Sequence, residues 1–298
     1  MPNQPPVLQA GDTVAVFCPA STLDREVIEK SAEVLESWGL NVIIGETVGA
    51  QYNRFAGTDE LRINEFQEFL DDDDISAIFC ARGGYGSARI IDHISFENFI
   101  ENPKWIIGYS DVTTIHNHIN QNFGIQTIHS VMPSGFESSM TEAVVTLKNT
   151  LFGSLFRYQF SPHKLNKTGT AKGRLLGGNL AIVHSMLGSV SQINTDGAIL
   201  FLEDVGEKLY NIDRMMVSLK RAGLLTKLSG LLVGGFTGSK GEEFGKNAEE
   251  IILEHAGLFG YPIGFHFPAG HQKDNRALLF EKEATLRVGE MACYLDFR

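Results

Sequence analysis

A serine at the junction of a predicted strand and a predicted helix is the first candidate for chemistry in this chain. Residues 105–114 read Trp-Ile-Ile-Gly-Tyr-Ser-Asp-Val-Thr-Thr, so an apolar strand ends just before Ser110 and a helix begins at about Val112. Such a junction can expose a nucleophilic hydroxyl above a sheet, near backbone N–H groups that could stabilise an oxyanion. The G-x-S-x-G hydrolase motif is not met, because Val112 stands where the second glycine would be. Ser110 or Asp111 could instead be the cap of the helix, so the spacing leaves both interpretations open.

A glycine-rich loop follows another apolar segment. Residues 82–86 read Arg-Gly-Gly-Tyr-Gly directly after the predicted strand 75–81. Glycines let backbone amides approach a ligand closely, so this loop could bind a phosphate or contribute to an oxyanion hole. The spacing matches neither G-x-G-x-x-G nor the Walker loop, and a plain turn is the alternative.

Carboxylates and histidines occur in two further segments. The predicted strand 198–202 leads directly into Glu203, which could orient an imidazole or simply begin a solvated turn. Residues 264–271 read Gly-Phe-His-Phe-Pro-Ala-Gly-His and supply His266 and His271. A loop constrained by glycine and proline can hold an imidazole in one orientation, which suits a general base. A core or surface histidine is the alternative for both.

No pattern predicts a metal site or a cofactor site. His116 and His118 are two residues apart on a predicted helix and therefore point in different directions. The acidic run 71–74 is interpreted as a solvated helix end or loop. The 3 cysteines of the chain are odd in number and far apart, which fits neither a disulfide framework nor a zinc site.

Composition limits the class of protein. With 25 basic against 36 acidic residues the chain carries a net charge of −11, which disfavours nucleic acids and acidic membrane surfaces as partners. No segment approaches the roughly 20 apolar residues that cross a bilayer, and residues 1–11 show no basic start followed by an apolar run. We therefore expect a globular protein of the cytoplasm, where reduced cysteines are normal.

The first half of the chain alternates strand-like and helix-like segments. This alternation predicts βαβ units and a mostly parallel sheet with helices on both faces. Binding and catalytic sites of such sheets gather at the carboxyl ends of the strands, so the loops 82–86 and 108–111 should lie at one edge. The predicted strands are residues 13–17, 40–44, 75–81 and 105–109.

The second half has a different pattern. A polar and basic stretch over residues 156–173 is interpreted as an interdomain connection. Short apolar runs, two amphipathic helices and many glycines follow it, which favours a smaller α+β or barrel-like domain. The predicted fold is therefore α/β, with an N-terminal Rossmann-like or flavodoxin-like parallel-sheet domain over residues 1–160 and a second domain over 161–298.

Taken together, these loops resemble the LD-carboxypeptidase family, the serine peptidases that include muramoyltetrapeptide carboxypeptidase and the microcin C immunity peptidases. The resemblance covers nearly the whole chain. Each motif alone is unspecific, but their order along the chain is not. The motifs are Gly11-Asp12, Cys18-Pro19-Ala20, Ala81-Arg82-Gly83-Gly84-Tyr85-Gly86, Gly108-Tyr109-Ser110-Asp111, Gly177-Gly178-Asn179-Leu180, Leu202-Glu203-Asp204 and Gly270-His271.

The resemblance implies a role for each matching residue. Ser110 is then the nucleophile, His271 the base and later the acid, and Glu203 the residue that holds the imidazole. The backbone amides of Gly84 and Asp111 would form the oxyanion hole. The nucleophile would come from the first domain and its two partners from the second, so the resemblance implies an active site in the cleft between them.

The implied reaction is hydrolysis of the bond between the L-centre of a diamino acid and the terminal D-alanine of a cytoplasmic murein tetrapeptide, in peptidoglycan recycling. No metal or cofactor is required. Arg82, Gly83 and Tyr85 are candidates for substrate binding, since a terminal carboxylate needs a cation or a backbone nest. A structural salt bridge is the alternative for Arg82. Family members are often homodimers, which a chain of this size allows.

Three other functions remain open. A microcin-type immunity peptidase would cleave aminoacyl nucleotides, and its branch uses an aromatic residue, typically tryptophan, of the second domain, whereas Trp38 and Trp105 both lie in the first half. A non-catalytic module could hold a phosphate or sugar on the loop 82–86. An esterase of the α/β-hydrolase type would also use Ser110 and His271.

Reserve candidates exist for two of the roles. Asp204 or Glu207 would replace Glu203, and His266 would replace His271. Residues 272–276, Gln-Lys-Asp-Asn-Arg, differ from the small or acidic residues expected after this histidine, which bears on the substrate.

Overall fold

The structure is a computed structural model that describes residues 4–154, 157–238 and 244–297. Two β-sheets organise this part of the chain. In chain order the strands are β1 (Thr13–Phe17), β2 (Asn41–Ile44), β3 (Ile75–Cys80), β4 (Trp105–Gly108), β5 (Thr127–His129), β6 (Arg157–Phe160), β7 (Gly169–Asn179), β8 (Ile199–Val205), β9 (Gly230–Thr237), β10 (Ile263–Gly264), β11 (Leu278–Phe280), β12 (Glu283–Val288) and β13 (Cys293–Phe297). The α-helices are α1 (Arg25–Glu36), α2 (Asp59–Asp71), α3 (Ser87–Ile90), α4 (Glu97–Glu101), α5 (Thr113–Phe123), α6 (Thr141–Leu151), α7 (Leu180–Ser185), α8 (Leu209–Arg221) and α9 (Ala248–Ala256).

The first sheet has six strands in the order β11-β5-β4-β3-β1-β2. Strands β1 to β5 are parallel, and β11 pairs with β5 in the antiparallel direction. Successive side chains of a strand point to opposite faces, and both faces are apolar here. Val14 and Val16 pack in the core that includes α1, whereas Ala15 and Phe17 pack in the core that includes α2. The predicted parallel-sheet domain is thereby confirmed.

Helix α5 carries the chain away from the carboxyl end of β4. A 3-10 turn over Ser110–Val112 joins the strand to the helix, and Gly124 ends the helix in the left-handed conformation, with φ of 63°. Ile115 and Ile119 anchor the helix in the core of the first sheet. The turn is therefore held between a buried strand and a buried helix.

The second sheet has seven strands in the order β10-β9-β8-β7-β12-β13-β6. Strands β7 to β10 are parallel, and β12, β13 and β6 continue the sheet in antiparallel pairs. Helices α7, α8 and α9 cover the parallel part through one apolar core. An isolated bridge between Lys167 and Ile263 joins the segment after β6 to β10, so the two ends of the strand order are brought together.

The structure corrects the prediction that residues 156–173 only connect two domains, because one strand lies within this stretch and a second begins in it. Residues 155 and 156 lie outside the described residues, but β6 occupies Arg157–Phe160 and β7 begins at Gly169. The strand β6 looks polar because Arg157 and Gln159 face solvent, whereas Tyr158 and Phe160 are buried. It was missed because alternation over so few residues is a weak signal.

The two sheets do not correspond throughout to the predicted segments, because one strand from each of the segments 1–160 and 161–298 pairs in the sheet of the other segment. Strand β6 belongs to the second sheet through its pairing with β13. Strand β11 returns from the second segment to the first sheet, where Leu278 pairs with His129. The chain therefore crosses between the sheets more than once.

Candidate active site

Ser110 lies at the carboxyl end of β4 in a conformation that is unusual for a serine. Its φ is 65°, in the left-handed region, while Tyr109 before it is extended. A residue other than glycine with positive φ is strained and persists only where its surroundings impose it. This backbone turns the half-buried hydroxyl out of the strand–helix junction.

The imidazole of His271 connects Ser110 to Glu203. Its Nε2 lies 3.1 Å from Oγ of Ser110, and its Nδ1 lies 2.8 Å from Oε2 of Glu203. The backbone N–H of His271 donates to the same carboxylate oxygen at 3.0 Å. Residues far apart in sequence are thus brought into one hydrogen-bonded chain.

Glu203 is fully buried near the end of β8, so its position is set by the sheet rather than by solvent. Gly270 allows the loop to approach it: φ at Gly270 is 104°, and a Cβ there would lie 2.6 Å from Oε2 of Glu203. Only glycine tolerates both that backbone and that approach. The Gly270-His271 pair is therefore a geometric requirement for the contact with Glu203.

The glycine-rich loop packs directly against Ser110. A Cβ at Gly83 would lie 3.0 Å from Oγ of Ser110 and 3.4 Å from the backbone nitrogen of Asp111. Gly84 has φ of 111° and lies so close to the Ser21 side chain that a Cβ has no room. The Ser21 backbone N–H donates to the carbonyl oxygen of Gly83 at 3.3 Å. The loops after β1 and β3 therefore meet at the serine, as expected for the carboxyl edge of a parallel sheet.

The side chain of Asp111 points away from the serine. It is buried and accepts a hydrogen bond from the backbone N–H of Ser87 at 2.7 Å, and burial raises the pKa of its carboxyl group. This contact ties the turn after β4 to the start of α3. Only the backbone N–H of Asp111 is left for a role beside Ser110.

Arg62 was missed by the sequence analysis. Its fully buried guanidinium on α2 donates to the carbonyl oxygens of Pro19 at 2.6 Å and Gly86 at 3.2 Å, and it forms an ion pair with Asp59. It thereby links the loop after β1 to the glycine-rich loop. An arginine on the same helix face as buried Phe66 was the available signal.

Arg82 and Tyr85 lie beside the site rather than against the triad atoms. Nη1 of Arg82 donates to the carbonyl oxygen of Thr22 at 2.9 Å. Arg82 lines an open cavity of about 730 Å³, together with Thr22, Arg25 and Gln51. Tyr85 is 47% exposed. In the described part of the chain, Arg82 makes this backbone contact and no salt bridge.

The reserve candidates are engaged elsewhere. Nε2 of His266 lies 3.1 Å from Oε1 of Glu249 on an exposed part of the second domain. Asp204 accepts hydrogen bonds from Nδ2 of Asn179 at 3.1 Å and from a backbone N–H of α7, and burial raises the pKa of its carboxyl group to about 6. Glu207 accepts from Nδ2 of Asn211.

A contact between the sheets fixes the relative position of these groups. Oγ1 of Thr113, at the start of α5, accepts a hydrogen bond from the backbone N–H of Asn179 at 3.1 Å. A Cβ at Gly178 would lie 2.5 Å from that oxygen. Asn179 is in register with Glu203 on the neighbouring strand. The start of the helix that follows Ser110 therefore packs against the strand end that adjoins Glu203.

Two further properties concern only the described residues. They contain no group of three His, Cys, Asp or Glu side chains placed to hold a metal ion. Within residues 4–154, 157–238 and 244–297, no helix is both long and apolar enough to cross a bilayer.

Comparison with known proteins identifies the class. A model described as the LD-carboxypeptidase N-terminal domain matches residues 14–130, and one described as the LD-carboxypeptidase C-terminal domain matches residues 172–286. The chain therefore belongs to the LD-carboxypeptidase family of peptidases, and the resemblance read from its motifs is confirmed.

Individual relatives align over most of the chain. The protein is 33% identical, over 98% of its length and 94% of the relative's, to a Bacillus subtilis protein named "Probable murein peptide carboxypeptidase". It is 29% identical, over 92% of both chains, to the murein tetrapeptide carboxypeptidase of Pseudomonas aeruginosa.

Solved structures share the whole fold. The muramoyltetrapeptide carboxypeptidase from Oxalobacter formigenes superposes with a TM-score of 0.88, at 24% identity over 96% of this chain and 98% of that one. MccF in complex with glutamyl sulfamoyl guanosine gives 0.89, at 20% identity over 100% and 99%. At these identities the likeness bears on the fold, and it confirms the mixed α/β architecture.

Proposed function

We propose that this protein is a serine carboxypeptidase that removes the terminal D-alanine from murein tetrapeptides in peptidoglycan recycling. The observation that carries the proposal is the hydrogen-bonded chain from Ser110 through His271 to Glu203, with distances of 3.1 and 2.8 Å. The names of the Bacillus and Pseudomonas relatives support the same class of substrate. The bond to be hydrolysed joins the L-centre of a diamino acid to the D-alanine.

In the proposed acylation step, Ser110 attacks the carbonyl carbon of that bond. With a proton on Nδ1 facing Glu203, His271 has Nε2 free to take the proton of the hydroxyl. The tetrahedral intermediate then collapses as His271 returns this proton to the nitrogen of D-alanine. The C–N bond breaks, and the remaining peptide stays esterified to Ser110.

Deacylation reverses these roles. His271 removes a proton from a water molecule, which attacks the ester carbonyl, and the protonated imidazole then returns a proton to Oγ of Ser110. The carboxylate of Glu203 stabilises the imidazolium formed in each step. Neither step requires a metal or a cofactor.

The proposed oxyanion donors are the backbone N–H groups of Gly84 and Asp111. The close packing of Gly83 against both Ser110 and the nitrogen of Asp111 supports this assignment. Each such donor typically contributes a factor of about 10² to 10³ in rate. The donors belong to the backbone, so side-chain substitution affects them only through loop position.

Substrate contacts are proposed for Arg82, Gly83 and Tyr85. One nitrogen of Arg82 is used by the Thr22 carbonyl, so its other N–H groups are available for a carboxylate of the peptide. Gly83 lies against the nucleophile, and the exposed ring of Tyr85 offers an apolar surface beside it.

We also propose that the protein acts in the cytoplasm and forms a homodimer. Its 3 cysteines are free and buried, which suits a reducing compartment. Sedimentation at several protein concentrations would test the dimer.

Release of D-alanine tests the reaction. Intact protein and Ser110→Ala would be compared on the disaccharide tetrapeptide and on the bare tetrapeptide, with Ser185→Ala as the control because Ser185 is exposed. Acid quenching followed by mass spectrometry would trap the peptide ester on Ser110. We expect release and adduct with the intact protein and the control, and neither with Ser110→Ala.

Other outcomes redirect the assignment. If Ser110→Ala still released D-alanine, and no adduct formed on the intact protein, Ser110 would be excluded as the nucleophile. Folded protein without release from either peptide would contradict the proposed substrate, and aminoacyl nucleotides would then be assayed. Binding of a phosphate or sugar without any turnover would favour the non-catalytic module.

A further inference from the structure

The backbone of the proposed catalytic histidine is held on both sides. The N–H of His271 donates to Oε2 of Glu203 at 3.0 Å, and its carbonyl oxygen accepts a hydrogen bond from Oγ1 of Thr237 at 3.0 Å. Glu203 lies on β8, and Thr237 is the last residue of the neighbouring strand β9. The proposed mechanism assigns a role to Glu203 and none to Thr237.

An irregularity in β9 lies opposite Glu203. Leu202 of β8 is in register with Val233 of β9, whereas Asp204, two positions later, is in register with Phe236, three positions after Val233. Strand β9 therefore holds one residue more than β8 over this stretch. Such a β-bulge reverses the faces to which the following side chains point, and bulges often lie beside active sites.

The bulge turns the side chain of Thr237 toward the histidine loop, which is the loop between β10 and β11 over residues 265–277. Val233 packs in the core beneath α7, α8 and α9, and Phe236 packs against the same core. In a regular strand, residues three apart would point to opposite faces. Because of the bulge, the next side chain after Phe236 points to the other face, where Phe267 of the histidine loop is buried.

The two glycines of the bulge let the histidine loop approach β9 closely. A Cβ at Gly234 would lie 2.5 Å from the carbonyl oxygen of Ala269, and a Cβ at Gly235 would lie 3.2 Å from Oε1 of Gln272. The backbone N–H of Gly235 donates to the same Ala269 carbonyl at 3.0 Å. Strand β9 therefore binds the histidine loop through two carbonyl groups, those of Ala269 and His271.

The backbone of Thr237 is itself fixed by β8. Its carbonyl oxygen accepts a hydrogen bond from the backbone N–H of Gly206 at 2.7 Å, and the residue is in register with Val205. Its side chain is half-buried. Both groups that hold the backbone of His271 therefore belong to one pair of adjacent strands, because Glu203 lies on β8.

We propose that Thr237 is a positioning residue that sets the imidazole of His271 relative to Ser110. With Glu203 on the N–H and Thr237 on the carbonyl oxygen, the peptide groups on both sides of the His271 Cα are fixed. Without the hydroxyl, the second peptide group is free to rotate, which displaces Nε2 from its 3.1 Å contact with Ser110. A shift of about 1 Å in a catalytic group can cost about 10²-fold in rate. The inference rests on the proposed function only in assigning His271 as the base.

The test compares Thr237→Val, which removes the hydroxyl at nearly constant shape, with Thr237→Ser, which keeps it. We expect Thr237→Val to lower kcat for D-alanine release about 10-fold with little change in KM, and Thr237→Ser to retain most of the wild-type kcat. Thr195→Val is the matched control, because Oγ1 of Thr195 also donates to a backbone carbonyl oxygen, that of Leu224 at 2.7 Å in the core under the helices. The control should lose stability in urea but keep its kcat.

Four results would overturn the inference. One is wild-type kcat in folded Thr237→Val, and another is an equal loss in Thr237→Ser, which keeps the bond. A higher KM at wild-type kcat would show that Thr237 contacts the peptide instead. The same loss of kcat in Thr195→Val would show a general effect of lower stability. Thermal melts verify that each variant is folded, and Thr237→Ala replaces Thr237→Val if the latter is not.

A substrate-independent measurement separates this inference from the proposed reaction. The rate at which a fluorophosphonate labels Ser110 depends on the serine–histidine contact but not on the peptide. We expect labelling to be about 10-fold slower in Thr237→Val and close to the wild-type rate in Thr237→Ser. That result in protein that releases no D-alanine would reject the substrate and retain the role of Thr237. Equal labelling rates in wild-type protein and folded Thr237→Val would reject the role.

Discussion

Oε2 of Glu203 accepts two hydrogen bonds from one residue, from Nδ1 of His271 at 2.8 Å and from its backbone N–H at 3.0 Å. The other oxygen, Oε1, is buried and has no hydrogen-bond partner among the described residues. The carboxylate is thus devoted to a single residue, whose ring and backbone it holds together. A buried carboxylate with so few partners is costly, and its retention fits a role in stabilising an imidazolium.

Glu203→Gln should separate orientation from charge. The amide oxygen of glutamine can accept both bonds from His271, so we expect the fold to persist while kcat falls about 10²- to 10⁴-fold. Kinetics of D-alanine release and urea unfolding would measure the two effects. Glu249→Gln, which removes the charge beside His266, should leave kcat unchanged. Wild-type turnover in Glu203→Gln would transfer the role to Asp204 or Glu207.

Gly270→Ala should impair both stability and turnover. The new methyl group would occupy the space of the Glu203 carboxylate in a backbone conformation that disfavours alanine, at a cost of about 1 to 3 kcal/mol. Gly223→Ala is a matched control, because Gly223 also has positive φ but has nothing within 4 Å of its Cβ position. We expect the control to lose stability in urea but to retain its kcat. Loss of kcat in both variants to the same extent would argue against a local effect at Glu203.

Acid should destabilise the protein through His116. This ring is fully buried against the carbonyl oxygen of Gly108 at 2.9 Å, and burial lowers its pKa to about 4. The unfolded chain takes up the proton near pH 6.5, so the free energy of unfolding decreases as the pH falls from about 6.5 toward about 4. At about pH 5 this contribution amounts to about 2 kcal/mol relative to neutral pH.

The variant His116→Gln should therefore lose less stability than the wild-type protein on acidification, by about that amount. Urea unfolding at both pH values would measure it. Identical pH dependence in the two proteins would show that His116 is not responsible.

Arg62→Lys should lower both the free energy of unfolding and kcat by disturbing the glycine-rich loop. A lysine cannot serve the carbonyl oxygens of Pro19 and Gly86 and the carboxylate of Asp59 together, so the glycine-rich loop should lose its fixed position. We expect a loss of about 3 kcal/mol in the free energy of unfolding and a lower kcat. Arg89→Lys tests the exposed partner of the same Asp59 and should leave the free energy of unfolding almost unchanged. Full activity in Arg62→Lys would show that the loop is held by other contacts.

The sequence predicted those parts of the site that follow long apolar runs. Ser110 and Glu203 both come directly after buried strands, and the apolar pattern of β4 and β8 made those strands readable. His271 could be nominated from its glycine- and proline-containing loop. That it meets Ser110 followed only from the family resemblance, since spacing carries no information about contacts between distant segments.

Other parts could not be predicted because their signals are short or depend on distant partners. Strand β11 has only three residues, and its pairing with β5 joins segments about 150 residues apart in sequence. Burial of Arg62 depends on carbonyl groups supplied by two separate loops.

Because β11 belongs to the first sheet, the loop that carries His271 is attached to both sheets. Before His271, Ala269 accepts a hydrogen bond from Gly235 of β9, and after it Leu278 pairs with His129 of β5. The loop therefore crosses from the second sheet to the first and is fixed at both of its ends. Separating the two sheets would strain the segment between Ala269 and Leu278 or break the β5–β11 ladder, so we expect access to the site to come from movement of side chains and surface loops.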